Sequence, residues 1–165
     1  MKKLFAILTA CFMLTTFVAC GSSNNSSSSG SSNTDSVSFD GSLEDYMTAL
    51  YDGIDENNMP AVMTTPITEE TEESFLGTTA DFKDAVASDA MISAIAHSVC
   101  LVRAENEEQA AELAKLIEEK ANPAKWVCVE AEKKVVKQRG NLVLLVMSQP
   151  ELADNIIANF DKLEA

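Results

Sequence analysis

From Leu43 onward apolar residues recur at helical spacing. Leu43, Tyr46, Met47, Leu50, Tyr51 and Ile54 form one stripe of a predicted α-helix. Ser42 precedes them as an N-cap, and Glu44 and Asp45 fall in the first turn, where the helix dipole favours acids. Asn57, Asn58 and Pro60 predict the end of that helix. The stretch "MPAVMTTPIT" after it follows neither period and reads as irregular. Thr68 predicts the cap of a short helix, "EETEESFL", stopped by Gly77. The pattern then changes. Residues 96–104 are rich in β-branched and small side chains and predict a strand at least partly buried on both faces. Part of 83–92 predicts an earlier strand. Asn106 caps "EEQAAELAKLIEEKA", whose stripe is Ala110, Leu113, Ala114, Ile117 and Ala121, with acids leading and Lys115 and Lys120 trailing. Asn122 and Pro123 stop it. Gly140-Asn141 is a hairpin signal between residues 134–139 and 142–148. Pro150 opens a last helix, with Leu152, Ile156, Ile157, Phe160 and Leu163 on its buried face.

These elements predict an α+β fold: one small domain over residues 41–165, with elements in the order α-α-β-β-α-β-β-α. About four mainly antiparallel strands, in two hairpins, pack with helices. Helices on one face of the sheet is the simplest arrangement.

Upstream the pattern is of another kind. Lys2 and Lys3 precede residues 4–17, which carry no charge. As a helix that run covers about 21 Å, short of the roughly 30 Å of a bilayer core, and it has the length of a signal-peptide apolar region. It ends in Phe17-Val18-Ala19-Cys20, which resembles the lipobox of bacterial lipoproteins. In those proteins the cysteine thiol receives a diacylglycerol and a peptidase cuts just before it. The resemblance implies a lipoprotein signal peptide over residues 1–19 and a lipidated Cys20 as first mature residue. The alternative is a plain secretory peptide cut after Ala19. Cys11 leaves with the signal in either case. Two acyl chains on one residue anchor stably, where one is marginal.

Residues 20–40 form the predicted linker. Within 21–36 stand nine Ser, three Asn and two Gly and no aliphatic or aromatic residue, so nothing offsets the entropy of ordering the segment. About twenty such residues span roughly 25 Å as a flexible coil. The expected location is the extracytoplasmic face of a bacterial cell membrane, Gram-positive by type, with lipid on Cys20 as the contact.

Composition narrows the function. The 165 residues leave a domain large enough to bury a core without metal or disulfide help. A net charge of −14 excludes nucleic acid, because nothing would neutralise phosphates. It argues equally against broad contact with anionic lipid or wall polymer. The acidity keeps a secreted domain soluble.

The segments "AIAHSVCLVRA", "NPAKWVCVEAE" and "RGNLVLLVMS", behind a lipobox and a Ser-rich tract, resemble an uncharacterised domain family of clostridial-type lipoproteins. The likeness covers roughly residues 43–163, with Asn122, Pro123, Lys125, Trp126, Gly140 and Asn141 as its best markers. It implies a small extracytoplasmic α+β domain, catalogued only as a domain of unknown function, and it implies no activity.

Candidate chemistry is sparse. Cys100 and Cys128 could form a disulfide outside the membrane, but each lies in an apolar stretch and two buried free thiols are favoured. With His97 they offer three zinc ligand types without any short-spaced pair. His97, the only histidine, shares a strand face with Val99, Leu101 and Arg103 and reads as structural. A triad would need Ser98 or another hydroxyl placed elsewhere in space, and no G-x-S-x-G is present. "DGIDEN" and "EETEE" lack calcium-loop spacing and read as solvated acidic faces. Trp126 reads as packing, and Met47, Met59, Met63, Met91 and Met147 as core filling. The expectation is therefore no catalytic residue, no metal and no cofactor. The chain reads as a non-enzymatic binding or accessory domain that meets an envelope protein. The alternative is a small-molecule or ion-binding lipoprotein serving a transporter. A hydrolase stands third, and requires His97 in a pocket with a hydroxyl and a carboxylate in reach.

Overall fold

The computed structural model describes residues 37–165. The predicted signal peptide, Cys20 and most of the predicted linker lie outside the described residues. The domain is α+β, with one antiparallel sheet of five strands and four α-helices. Along the chain come α1 (Leu43–Leu50), a 3₁₀ turn (Glu56–Asn58), β1 (Val62–Pro66), α2 (Glu72–Leu76), β2 (Asp84–Ala90), β3 (Ser98–Arg103), α3 (Glu107–Lys120), β4 (Lys133–Arg139), β5 (Leu142–Ser148) and α4 (Pro150–Phe160). The strand order across the sheet is β1-β2-β3-β5-β4.

Local chemistry sets most boundaries. The Ser42 and Asn106 side chains accept the backbone N–H groups of Asp45 and Gln109, capping α1 and α3. Gly77 ends α2 at φ +76°, and a Cβ there would lie 2.3 Å from the Lys120 carbonyl oxygen. Gly140, at φ +57°, turns β4 into β5, and a Cβ there would lie 1.9 Å from the Val37 carbonyl oxygen.

The second helix starts later than expected, at Glu72, with Thr71 and not Thr68 at its N-cap position, and three larger features depart from the sequence expectation. First, "MPAVMTTPIT" contains a strand, β1, paired antiparallel with β2 from Val62↔Ala90 to Pro66↔Val86. As an edge strand with Met63, Thr64 and Pro66 exposed, it needs no apolar alternation, and Pro66 is tolerated at its end. Second, α1 stops at Leu50. Tyr51 is its C-cap, and the chain turns through Gly53 before the 3₁₀ turn.

Third, helices cover both faces of the sheet. β3 and β5 are buried at every position, which requires cover on each side. Val99, Leu101, Leu144 and Val146 pack with α1 and α4. Cys100, Val102, Leu145 and Met147 pack with α2 and α3. Alternation along a strand divides the two cores.

The free edge at β4 carries its own bracing. Lys133 and Lys137 pair with Asp154 and Asp161 of α4. Lys134, on the other face, donates to the carbonyls of Glu118 and Ala121 at the end of α3. Alternate residues of one strand thus hold the two helix layers, and their charges also discourage edge-to-edge pairing.

The two ends of the sheet differ in kind. At the hairpin end the Arg103 guanidinium is buried, pairs with Asp84, and donates to the carbonyls of Phe39 and Gly41 at 3.2 and 2.7 Å. The Asn141 side chain accepts the Phe39 N–H at 2.7 Å. Arg139 donates to the carbonyl of Phe160 at 3.0 Å and to that of Leu163. Residues 37–41, where the linker enters the domain, are fixed here. The opposite end, where β2 runs into β3 and β5 into α4, holds the candidate site.

Candidate functional site

His97 immediately precedes β3 and is fully buried. Its Nδ1 lies 2.8 Å from Ser148 Oγ, at the last position of β5, and its Nε2 lies 2.9 Å from Tyr51 Oη. Tyr51 Oη in turn donates to Ser88 Oγ at 3.1 Å. Four side chains from α1's cap, β2, β3's approach and β5 therefore form one polar chain on the α1/α4 face. With the Tyr51 proton on Ser88, a consistent assignment has His97 Nε2–H donating to Tyr51 and the Ser148 hydroxyl donating to Nδ1. Burial holds the imidazole's pKa down to about 4, opposed by the Asp89 charge, so it is neutral at pH 7. Burial likewise raises the Tyr51 phenol above its ordinary value.

Tyr51, the C-cap of α1, keeps right-handed helical backbone angles (φ −97°, ψ 0°), so α1 itself carries its phenol to His97.

Above this chain opens a cleft of about 510 Å³, within the usual range for small-molecule sites. His97 and Ser148 form its floor. One wall is the segment from Gly53 to Pro60, another Ile95 and Ala96, and the third the start of α4 with Gln149, Glu151, Leu152 and Asn155. Ile54, Met59, Ile95 and Leu152 supply its apolar part. No side chain caps α4 at Gln149. A second depression of about 690 Å³ beside α2 is wider and more open. No buried polar chain forms its floor. Of its residues Glu72 is the buried acid, and it accepts the Ala80 N–H.

On the opposite face at the same end lies a charged cluster. Lys125 Nζ donates to Ser98 Oγ at 2.9 Å and lies 3.5 Å from Asp89 Oδ2. Its ammonium sits 5.1 Å from the centre of the Phe75 ring and 5.2 Å from that of Trp126. Asp89 Oδ1 is enclosed without a hydrogen-bond partner. The cluster pins the loop after α3 to the sheet. Ser98 is fully buried, and neither His97 nor Ser148 belongs to this face.

Of the sequence-predicted residues, the structure makes His97 central. Cys100 and Cys128 are both free, so the disulfide considered for them is not formed. Cys100 is sealed in the α3-side core, where burial pushes its thiol up to about 12. Cys128 is exposed on the loop after α3, so the expectation of two buried thiols fails as well. A chain turning out of α3 needs only one side chain at a time to face inward, and Trp126 takes that place, partly buried against the second core. Met47 and Met147 fill core, but Met63 and Met91 are 57% and 65% exposed and do not. Glu72 of "EETEE" is buried rather than solvated, and Asp55 of "DGIDEN" caps the 3₁₀ turn. The sequence pattern marks none of Tyr51, Ser88, Ser148 and Asp89 as a site residue, and Ser98, the hydroxyl weighed for a triad, lies on the face opposite His97 and accepts from Lys125. Ser148 alone left a trace in sequence, as the one polar residue ending an apolar strand just before a helix-starting proline.

Comparison of the chain with protein-family models, curated proteins and solved structures finds no match.

Proposed function

We propose that this chain is a membrane-anchored, extracytoplasmic lipoprotein whose single domain is a non-enzymatic binding module for a small polar molecule, of the kind that serves a transporter. The cleft over His97 carries this reading. It is concave and part apolar, and the side chains of Asp55, Asn57, Asn58, Gln149, Glu151 and Asn155 line it above the fully buried His97 and Ser148, a mix of apolar wall and a few polar groups that suits a ligand site. The envelope-protein reading draws on no comparable feature. The anchor rests on Phe17-Val18-Ala19-Cys20 and the Ser-rich tract behind it.

Geometry also weighs against hydrolysis. Ser148 stands at hydrogen-bond distance from His97, but the other imidazole nitrogen meets a phenol. The carboxylate that would orient the ring and stabilise its protonated form is missing from that position, and Asp89 lies on the opposite face of the sheet. An imidazole that resists protonation is a poor proton relay and a good fixed dipole.

The test is a thermal-shift screen of the mature chain against polar compounds of metabolite size. A ligand of the native state at free concentration L stabilises it by RT ln(1 + L/Kd) and so raises the melting temperature as its concentration rises. A raised melting temperature that disappears when the cleft is blocked by Asn155→Trp supports the reading. A screen in which no compound moves the transition, or in which Asn155→Trp leaves every shift intact, contradicts it. Lipid on Cys20 is checked separately, by the mass of the N-terminal peptide.

A further inference from the structure

We infer that the ligand of the cleft carries an ammonium group on a short apolar body. This rests on the reading of the cleft as a ligand site and adds the class of ligand. The charged residues of the lining have one sign: Asp55 and Glu151, with no Lys or Arg. Neither forms a salt bridge among the described residues. The strand lysines on that side of the sheet, Lys133 and Lys137, are already held by Asp154 and Asp161. Asp55 is fixed as a carboxylate, because the backbone N–H and side-chain amide of Asn57 both donate to its Oδ1, and Oδ2 makes no hydrogen bond among the described residues. Asn57, Asn58, Gln149 and Asn155 add amide oxygens that can complete the shell of a cation. The neutral His97 adds no opposing charge.

Other ligand classes fit this lining less well. An anion would meet two carboxylates and no base. The uncapped start of α4 does not offset them, since Glu151 itself occupies its first turn and satisfies the helix dipole. A sugar would gain from the amides but would leave both carboxylates without a partner, and the lining holds no aromatic face for it to stack on. An ammonium uses the acids, and Ile54, Met59, Ile95 and Leu152 accept a short hydrocarbon body. The net charge of −14 raises the local concentration of any cation near the domain.

The experiment titrates three probes into the isotope-labelled mature chain, prepared with Cys20→Ser to omit the lipid: propylammonium, acetate and glucose. Propylammonium is expected to shift the backbone amides of residues 53–60 and 148–155. Its affinity should fall about fivefold in Glu151→Gln, the scale of one exposed ion pair, and fall again as salt rises past the screening range of about 0.1 M. Glu151→Gln should melt within a few degrees of the parent, because the exposed Glu151 makes no ion pair and loses only its interaction with the α4 dipole. If acetate or glucose moves those amides and propylammonium does not, the ammonium class is wrong and the cleft remains a ligand site. Propylammonium binding that is unchanged in Glu151→Gln and insensitive to salt also overturns it. If no probe moves a cleft amide, the class and the reading beneath it both fall.

Discussion

The two ends of the sheet use polar groups in opposite ways. At the hairpin end the buried charged and amide groups close on fixed partners. Arg103 takes Asp84 and two carbonyls, Asn141 takes the backbone of Phe39, and Arg139 takes the last carbonyls around α4. At the other end His97, Ser148, Tyr51 and Ser88 also satisfy one another, but they do so beneath an open cleft. Asp89 keeps an unpartnered oxygen, and Met91, Ile92 and Val127 are exposed. The first end stores stability where the linker enters. The second holds a buried polar chain beneath a concave surface. Binding sites are commonly set on loops that a rigid scaffold positions, and here the scaffold is braced at its far end.

The largest effect that would sharpen this contrast is expected at the hairpin end. Arg103→Met removes a buried guanidinium with its hydrogen bonds and strands Asp84, and should cost about 3–4 kcal/mol in a urea melt. It should leave ligand-induced shifts at the cleft unchanged. An Arg103→Met chain as stable as the parent would break the comparison.

Protonation of His97 comes next. Its folded pKa, about 4, lies below the ordinary 6.5, so the folded state binds this proton more weakly than the unfolded chain. The His97 contribution is therefore complete above about pH 6.5 and is lost as pH falls to about 4, amounting to roughly 3 kcal/mol. Urea melts at pH 7 and pH 4.5 should show a larger loss for the parent than for His97→Gln, which carries no titrating group there. Equal losses would place His97 in a more solvated setting than the fold implies.

A smaller change is expected from Lys125→Met on the opposite face. It leaves Ser98 and Asp89 without their cation but keeps an apolar chain between Phe75 and Trp126. The expected cost is about 1–2 kcal/mol, with faster hydrogen exchange confined to residues 122–132. Faster exchange in residues 53–60 as well would mean that the two polar clusters are coupled through the sheet. The smallest stability effect belongs to Glu151→Gln, within about 0.5 kcal/mol.

Much of this architecture was legible in the residues. Ser42, Asn106, Gly77, Gly140-Asn141 and Pro150 each act locally, so the sequence alone identifies the turns and caps they make. β1 was not legible, because its strand character comes from pairing with β2 and not from its own side-chain pattern. The second helix layer was half legible. The continuous apolar runs of β3 and β5 imply two covered faces, a demand that one-sided packing cannot meet. At the site, His97 stood out as the lone histidine, and its sharing of a face with Val99 and Leu101 was readable from strand alternation. Its partners were not. Tyr51 and Ser148 lie 46 and 51 residues away, and they meet His97 only because α1 packs on this face of the sheet and β5 pairs with β3. The free thiols follow the same logic, since a disulfide depends on distance in space, which neither cysteine's local sequence contains.

The central claim is that the working surface lies at the His97 end of the sheet. The most direct test maps backbone amide shifts of the labelled mature chain against a set of small polar fragments, some cationic, some neutral and some anionic. The account predicts that the fragments that bind move residues 53–60, 95–97 and 148–155 and leave residues 139–142 still. Shifts that cluster at the hairpin end or on the α3 face, or no shifts at any concentration the chain tolerates, would contradict it.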